Sequence, residues 1–197
     1  MARFDLLVGS SDLWGRAARD IASATRRVLL KAMTFEGDAA GLAVARAIGG
    51  SPAQDRRVLV DDYTRNVLND TFLILSRDPA LAAEARTTWA MFDELKQNGV
   101  GVRVTNPVGG NPFRYPVRNH KKLLVMDDVA WLGGINFSDH NFAWHDLMLR
   151  IEDRQIVDWL AERFECDWEG APHPIRTSFE GLELVSLDGT DNARQLD

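Results

Sequence analysis

The chain has 197 residues, 45% of them apolar and 26% charged, which suits one domain with a full core and a soluble globular composition. Its 23 basic and 29 acidic side chains leave a net charge of −6, so the total charge offers no general attraction to nucleic acid or to an anionic membrane. The single cysteine, Cys166, excludes an internal disulfide, and no apolar run approaches the length of a bilayer span, so the expectation is a cytoplasmic chain whose contact with any membrane is peripheral.

Residues 1–12 lack the layout of a signal peptide. Ser11-Asp12 reads as a helix cap, and Leu13, Ala17, Ile21 and Ala24 mark one face of a helix reaching about Thr25. Arg27 to Phe35 is apolar and reads as a buried strand. Gly37-Asp38 opens a second helix over Ala39 to Gly49, closed by Gly49-Gly50. Arg56 to Tyr63 is the next strand. Arg65 to Gln97 is read as helix-rich and interrupted at Asp78-Pro79, with Ala85, Trp89, Phe92 and Leu95 turned to the core. Asn98-Gly99 ends that helix and Val100 to Asn106 forms a strand. The alternation predicts an α/β sandwich with a largely parallel sheet.

Residues 107–116 are dense in Gly and Pro and read as a loop, whose Phe113 and Tyr115 are candidates for a site wall. Lys121 to Met126 and Val129 to Leu132 are two short apolar strands. Leu147 to Glu152 is another strand and Gln155 to Trp168 a helix. Residues 171–176 read as a linker, and Leu182 to Leu187 as one more strand. Charge is unevenly spread. From Gly101 to Met126 there are five basic residues (Arg103, Arg114, Arg118, Lys121, Lys122) and no acidic ones, as an anionic substrate would favour; residues 152–197 carry twelve acidic residues against four arginines.

The chemistry-bearing stretch is Arg118 to Glu152. Strand alternation puts His120 and Lys122 on one face and Lys121 on the other. An imidazole nitrogen can attack an electrophile while the ammonium beside it holds an anionic oxygen. Gly133-Gly134 permits close approach of the backbone to a ligand, and Asn136 adds an amide donor. These parts suit a phosphate diester. His140, His145 and His173 read as hydrogen-bonding loop residues or exposed side chains.

This stretch resembles the phospholipase D superfamily, whose HKD motif is His-x-Lys-x4-Asp followed by a Gly-Gly/Ser-x-Asn element. The matching positions are His120, Lys122, Asp127, Gly133, Gly134 and Asn136. The wording from Gly133 to Asp146 is most similar to the amino-terminal half of bacterial cardiolipin synthase-like members. One departure is visible: Asp128 to Leu132 puts five residues, not the usual six, between the Asp and the glycines, which implies a tighter turn.

The resemblance implies a phospholipase D-like sandwich, with helices on both faces of a mixed, largely parallel sheet and a single domain over 1–197 whose residues 171–197 are linker and tail. It implies a phosphodiesterase or phosphatidyltransferase acting on phospholipid through a phosphohistidine intermediate, without metal or other cofactor. The implied catalytic set is His120, Lys122, Asp127 and Asp146, and the implied phosphate-binding set is Lys122, Gly134 and Asn136. Asp146 would orient the second nitrogen of the imidazole. Asp127 is the acid of the motif, yet its position at the far end of the strand favours an ion pair or turn cap.

The scheme needs two histidines and this sequence has one motif. Either two copies meet in a dimer, or the chain is the first half of a two-motif protein; the wording from Leu184 to Asp197 favours the second. A homodimeric nuclease-type phosphodiesterase and a non-catalytic half-domain remain as other readings, with nucleic acid the weaker partner because of the acidic total.

Overall fold

The motif strand lies at the centre of a seven-stranded sheet with the order β1–β9–β8–β7–β2–β3–β6. The computed structural model describes residues 2–107, 118–144, 146–171 and 176–187. In chain order the elements are β1 (Arg3–Val8), α1 (Ser10–Ser23), β2 (Arg27–Ala32), α2 (Ala39–Gly49), β3 (Asp55–Asp61), a 3-10 turn (Asp62–Arg65), β4 (Val67–Leu68), β5 (Thr71–Phe72) and α3 (Pro79–Gln97). There follow β6 (Gly101–Thr105), β7 (Lys122–Met126), β8 (Val129–Gly133), α4 (Asp139–Phe142), β9 (Leu147–Glu152), α5 (Arg154–Glu169), β10 (Arg176–Phe179) and β11 (Leu182–Val185).

The sheet is mixed. Following the pairings, β1, β2, β3, β6 and β8 run one way and β7 and β9 the other, so it is largely parallel in direction. Only β2–β3 and β3–β6 are parallel neighbours; β7 and β8, with Met126 opposite Val129, are linked by Asp127-Asp128 alone, too short for a crossover.

Helices cover both faces. Leu13, Ala17 and Ile21 of α1, Val44 and Ile48 of α2, and Met91, Phe92 and Leu95 of α3 pack with Val28, Leu30, Val58, Val60, Leu124 and Met126 on one face. On the other, Ile156, Val157, Leu160 and Phe164 of α5 pack with Leu29, Leu59, Leu123, Val125 and Ile151. All five residues of β7 are therefore buried, and its alternation assigns 122, 124 and 126 to the first face and 123 and 125 to the second. Carboxylates cap the helices: Asp38 accepts from Gly41 N, Asp78 from Ala80 N ahead of Pro79, and Asp153 from Ile156 N.

Three expectations are corrected. β1 forms an edge strand against β9 where no strand was expected, since only Leu7 of its six residues is buried and the apolar pattern is faint. Residues 65–77 hold no α-helix. The chain there makes the 3-10 turn and the β4–β5 hairpin, whose turn residues Asn69 and Asp70 both take left-handed conformations (φ 47° and 55°), a pair suited to a two-residue hairpin. The buried face of α3 is Leu81, Thr88, Met91, Phe92 and Leu95, without Ala85. Thr88 takes a core position because its hydroxyl accepts from Gly37 N at 2.8 Å and donates to Glu84 O, and a Cβ at Gly37 would lie 2.4 Å from Thr88 N. Residues 182–185 form the expected late strand, paired with the unforeseen β10. Phe113, Tyr115, Arg114, His145, His173 and residues 188–197 lie outside the described residues.

Candidate functional site

β7 runs opposite to β2, so its beginning sits at the sheet end where β2, β3, β8 and β1 finish. His120 and Lys122 are therefore delivered beside Gly133-Gly134 and the start of β9. Lys122 Nζ stands 2.9 Å from His120 Nδ1, 3.1 Å from Nε2 and 3.0 Å from His120 O. The Lys122 residue is 3% exposed, whereas the imidazole presents to solvent. Burial pulls the ammonium down to about 8, opposed by the charge of Asp146. The His120 imidazole is also held below its ordinary value, first by burial and then by Lys122, again opposed by Asp146. At neutral pH the ring is thus an unprotonated base with a cation at its side, which is the state a nucleophile needs. Lys121 turns to the other face, where it and the buried Lys31 share Asp167 of α5.

Asp146 is close enough to bias both groups, but its carboxylate hydrogen-bonds Leu147 N at 2.7 Å rather than the imidazole. Its position is set by Gly134: a Cβ there would lie 2.2 Å from Asp146 Oδ2. At Gly133 a Cβ would lie 2.2 Å from Leu147 O. The glycines therefore admit β9 and the Asp146 carboxylate, not a ligand. Gly134 N donates to Leu147 O at 3.0 Å, so its amide is already committed, contrary to the phosphate-binding part expected of it. On the far side of Asp146, Gly9 N donates to its backbone oxygen at 2.9 Å.

Asn136 is buried, with Nδ2 facing Asn141 Oδ1 at 3.5 Å and Oδ1 shielded from solvent without a partner. Asn141 in turn donates to Ser138 Oγ at 2.7 Å and to a His140 nitrogen at 2.7 Å. Ser138, Asn141 and His140 thus support Asn136, a function that residues 137–146 read as a loop did not reveal. The available signal was the run Ser138-Asp139-His140-Asn141, four hydrogen-bonding side chains in succession directly after Asn136 and Phe137.

Asp127 lies at the opposite end of β7, away from His120. Its carboxylate accepts from Thr25 N (2.9 Å), Arg26 N (2.9 Å), Arg27 N (3.0 Å) and the Thr25 hydroxyl, and it has φ 41°. Burial alone would raise this carboxyl; the amides outweigh it and hold it below the ordinary value. The structure thus separates Asp127 from the other site residues and makes it the clasp between the β7–β8 turn and the start of β2.

The basic segment is mostly spoken for. Arg118 pairs with the buried Asp61 at 2.8 Å and donates to Asn106 O, while Asn106 Nδ2 and Asn119 N also donate to Asp61. Arg103 stacks on Trp168 and donates to its backbone oxygen. Among the described basic residues of 101–126, Lys122 is the one that faces the imidazole. A second ionisable group lies beside His140, whose Nδ1 is 3.8 Å from Glu36: Glu36, Asp38 and Glu84 bring carboxylate oxygens within 4.8 Å of one another. Burial, with Asp38 and Glu84 adding to it, raises Glu36 to about 7.

The sheet topology is that of the phospholipase D fold. A family model described as "Cardiolipin synthase, PLD-like domain" matches residues 18–168, and the chain belongs to this phospholipase D-like family of phosphodiester-cleaving and phosphatidyl-transferring enzymes. No curated protein matches the sequence. Among solved structures, NucT from Helicobacter pylori is 16% identical, with 86% of this chain and 97% of that one covered and a TM-score of 0.56. Nuc from Salmonella typhimurium, a phospholipase D family member, is 15% identical over 85% and 95%, with a TM-score of 0.58. Phosphatidylserine synthase from Haemophilus influenzae is 17% identical over 82% of this chain and 36% of that one, with a TM-score of 0.57. At these identities the likenesses speak for the fold.

Proposed function

We propose that the chain, as a single domain, supplies one half-site of a cardiolipin synthase-like phosphatidyl-transferring or phospholipid-cleaving enzyme, with His120 as its nucleophile. The observation that carries this is the Lys122 ammonium held against an imidazole kept unprotonated at neutral pH. In the proposed reaction a ring nitrogen of His120 bonds to phosphorus as the bond from phosphorus to the departing alcohol oxygen breaks. The alkoxide takes a proton from the histidine of a second motif. That histidine then removes a proton from water or an acceptor alcohol, whose oxygen displaces the nitrogen and restores neutral His120. Lys122 holds non-bridging oxygens, and the unpartnered end of the Asn136 amide becomes a donor to them when the amide turns over. Where the second motif belongs to another copy of this chain, its Asp146 favours the imidazolium form that its His120 takes as the acid.

The second motif comes from a second copy or from the other half of a longer chain. The free edge of the sheet suits such docking: Phe4, Leu6, Val8 and Leu147 are exposed there, and Val8 pairs with Leu147 directly beside Asp146. A nuclease-type reading gains nothing from the arginines, since Arg103 and Arg118 are engaged within the fold. The test is turnover of phosphatidylglycerol and phosphatidylcholine, beside plasmid cleavage, by a two-motif assembly containing this chain. Lipid turnover lost in His120→Ala with folding retained is expected; residual turnover within about tenfold of wild type refutes the assignment.

A further inference from the structure

The hairpin after β3 rises from the same end of the sheet as the motif. β2 and β3 are parallel and β7 is antiparallel to β2, so the residues following Asp61 and those preceding Lys122 lie at one end. At that end the loop after β5 puts Ile74 and Leu75 almost wholly into solvent, at 90% and 80% exposed, next to the exposed Phe72. Single exposed aliphatics are ordinary on protein surfaces. Two consecutive ones that find no support, on a projection from the motif end, are not.

The projection is tied to the site. Its turn residue Asp70 lies 3.6 Å from a His140 nitrogen, and the other face of that contact belongs to Trp144, whose exposed indole meets the His140 ring edge-on at 5.7 Å. His140 touches Asn141, and Asn141 holds Asn136. The exposed Arg77 follows two residues after Leu75 and makes no ion pair among the described residues. Two carboxylates lie nearby: Asp70 reaches His140 while its side chain stays 67% exposed, and Asp78, next to Arg77, accepts from Ala80 N at the start of α3.

We propose that Phe72, Ile74, Leu75 and Trp144 form a lipid-surface contact that seats the motif end of the sheet on a bilayer, with Arg77 at the level of anionic headgroups. The inference rests on the phospholipid reading above and adds the element that presents the site to its substrate. A convex pair of aliphatic side chains offers far less than the roughly 800 Å² per partner of a stable protein interface. The same pair can immerse fully in acyl chains, and indole and guanidinium are suited to the interfacial layer above them. A bilayer is the occupant that this shape and chemistry fit.

The test is flotation of the 197-residue chain with vesicles of phosphatidylglycerol and phosphatidylcholine in equal parts, comparing wild type with the double variant Ile74→Ser/Leu75→Ser. Both positions are solvent-exposed, so the variant keeps its fold, checked by melting temperature. Wild type is expected to float, the variant to partition at least about tenfold less, and Arg77→Glu to lose binding mainly on anionic vesicles. Equal partition of wild type and the double variant, or no flotation of wild type, overturns the proposal. So does a fall in sedimentation mass of the double variant, which would make the projection a protein contact. Vesicle binding is read without turnover, so the two readings fail separately: flotation without lipid turnover in a two-motif assembly refutes the reaction, and turnover of a water-soluble diester without flotation refutes the contact.

Discussion

The Asp146 carboxylate occupies the volume that a side chain at Gly134 would need. Gly134→Ala is therefore expected to push the carboxylate aside while the sheet remains intact, because the obstructing atoms are the end of a movable side chain. Asp146 raises the His120 pKa, so its displacement lowers the imidazole midpoint further. An NMR titration of His120 reads this directly; an unchanged midpoint in the variant would show that Asp146 does not act on the ring.

Lys122 pulls the same midpoint the other way. Lys122→Met should raise the His120 pKa by removing a neighbouring cation, while Asp146→Asn should lower it. In a two-motif assembly the same Lys122 variant is expected to lose about 3 kcal/mol of transition-state stabilisation, close to a hundredfold in turnover. Opposite shifts from the two variants are the signature; shifts of one sign would mean that burial alone sets the imidazole.

Asp127→Ala is expected to cost about 1–3 kcal/mol of stability, since three backbone amides at the start of β2 lose their acceptor. The Asp127 carboxyl is depressed in the folded state, so its stabilisation is present above the ordinary carboxylate range and is lost as pH falls through the folded value. Urea midpoints of wild type and variant should converge in acid. If Asp127→Ala leaves the midpoint at pH 7 unchanged yet abolishes turnover of the assembly, Asp127 belongs to the chemistry instead.

Glu36 has the reverse sign. Its folded value is about 7 against an ordinary 4.5, so the folded chain holds a proton that the unfolded chain releases, and stability falls as pH rises between those values. Asp38, Glu84 and His140 face it, the last as a partner that can offset part of the cost. Glu36→Gln should be stabilising at pH 8 and near neutral at pH 4, by urea midpoint; a pH-independent difference would rule out a buried proton there.

Much of this arrangement was legible in the sequence because it follows strand alternation. The opposite turns of Lys121 and Lys122 needed only a period of two, and the Leu13–Ala17–Ile21 face of α1 only a period of 3.6. The departures arise where tertiary contacts override local pattern. Thr88 is polar and yet buried because Gly37 reaches it. The Gly133-Gly134 pair was legible as a close approach, but the identity of the approaching group, β9 with Asp146, depends on a register set by pairing 15 residues apart, Gly133 with Met148. Arg118 looked like a free cation in a basic segment; its partner Asp61 is 57 positions away, beyond any local signal.

That Asp61 contact also separates the motif from the loop before it. Asn106 and Arg118 are both fastened to the one buried carboxylate, and Arg118 closes the ring by donating to Asn106 O. The chain thus leaves β6 and re-enters at the motif through a fixed gate, whatever sequence joins the two posts. Arg118 stands two residues ahead of His120, so the approach to the motif is moored to the end of β3 by a buried ion pair.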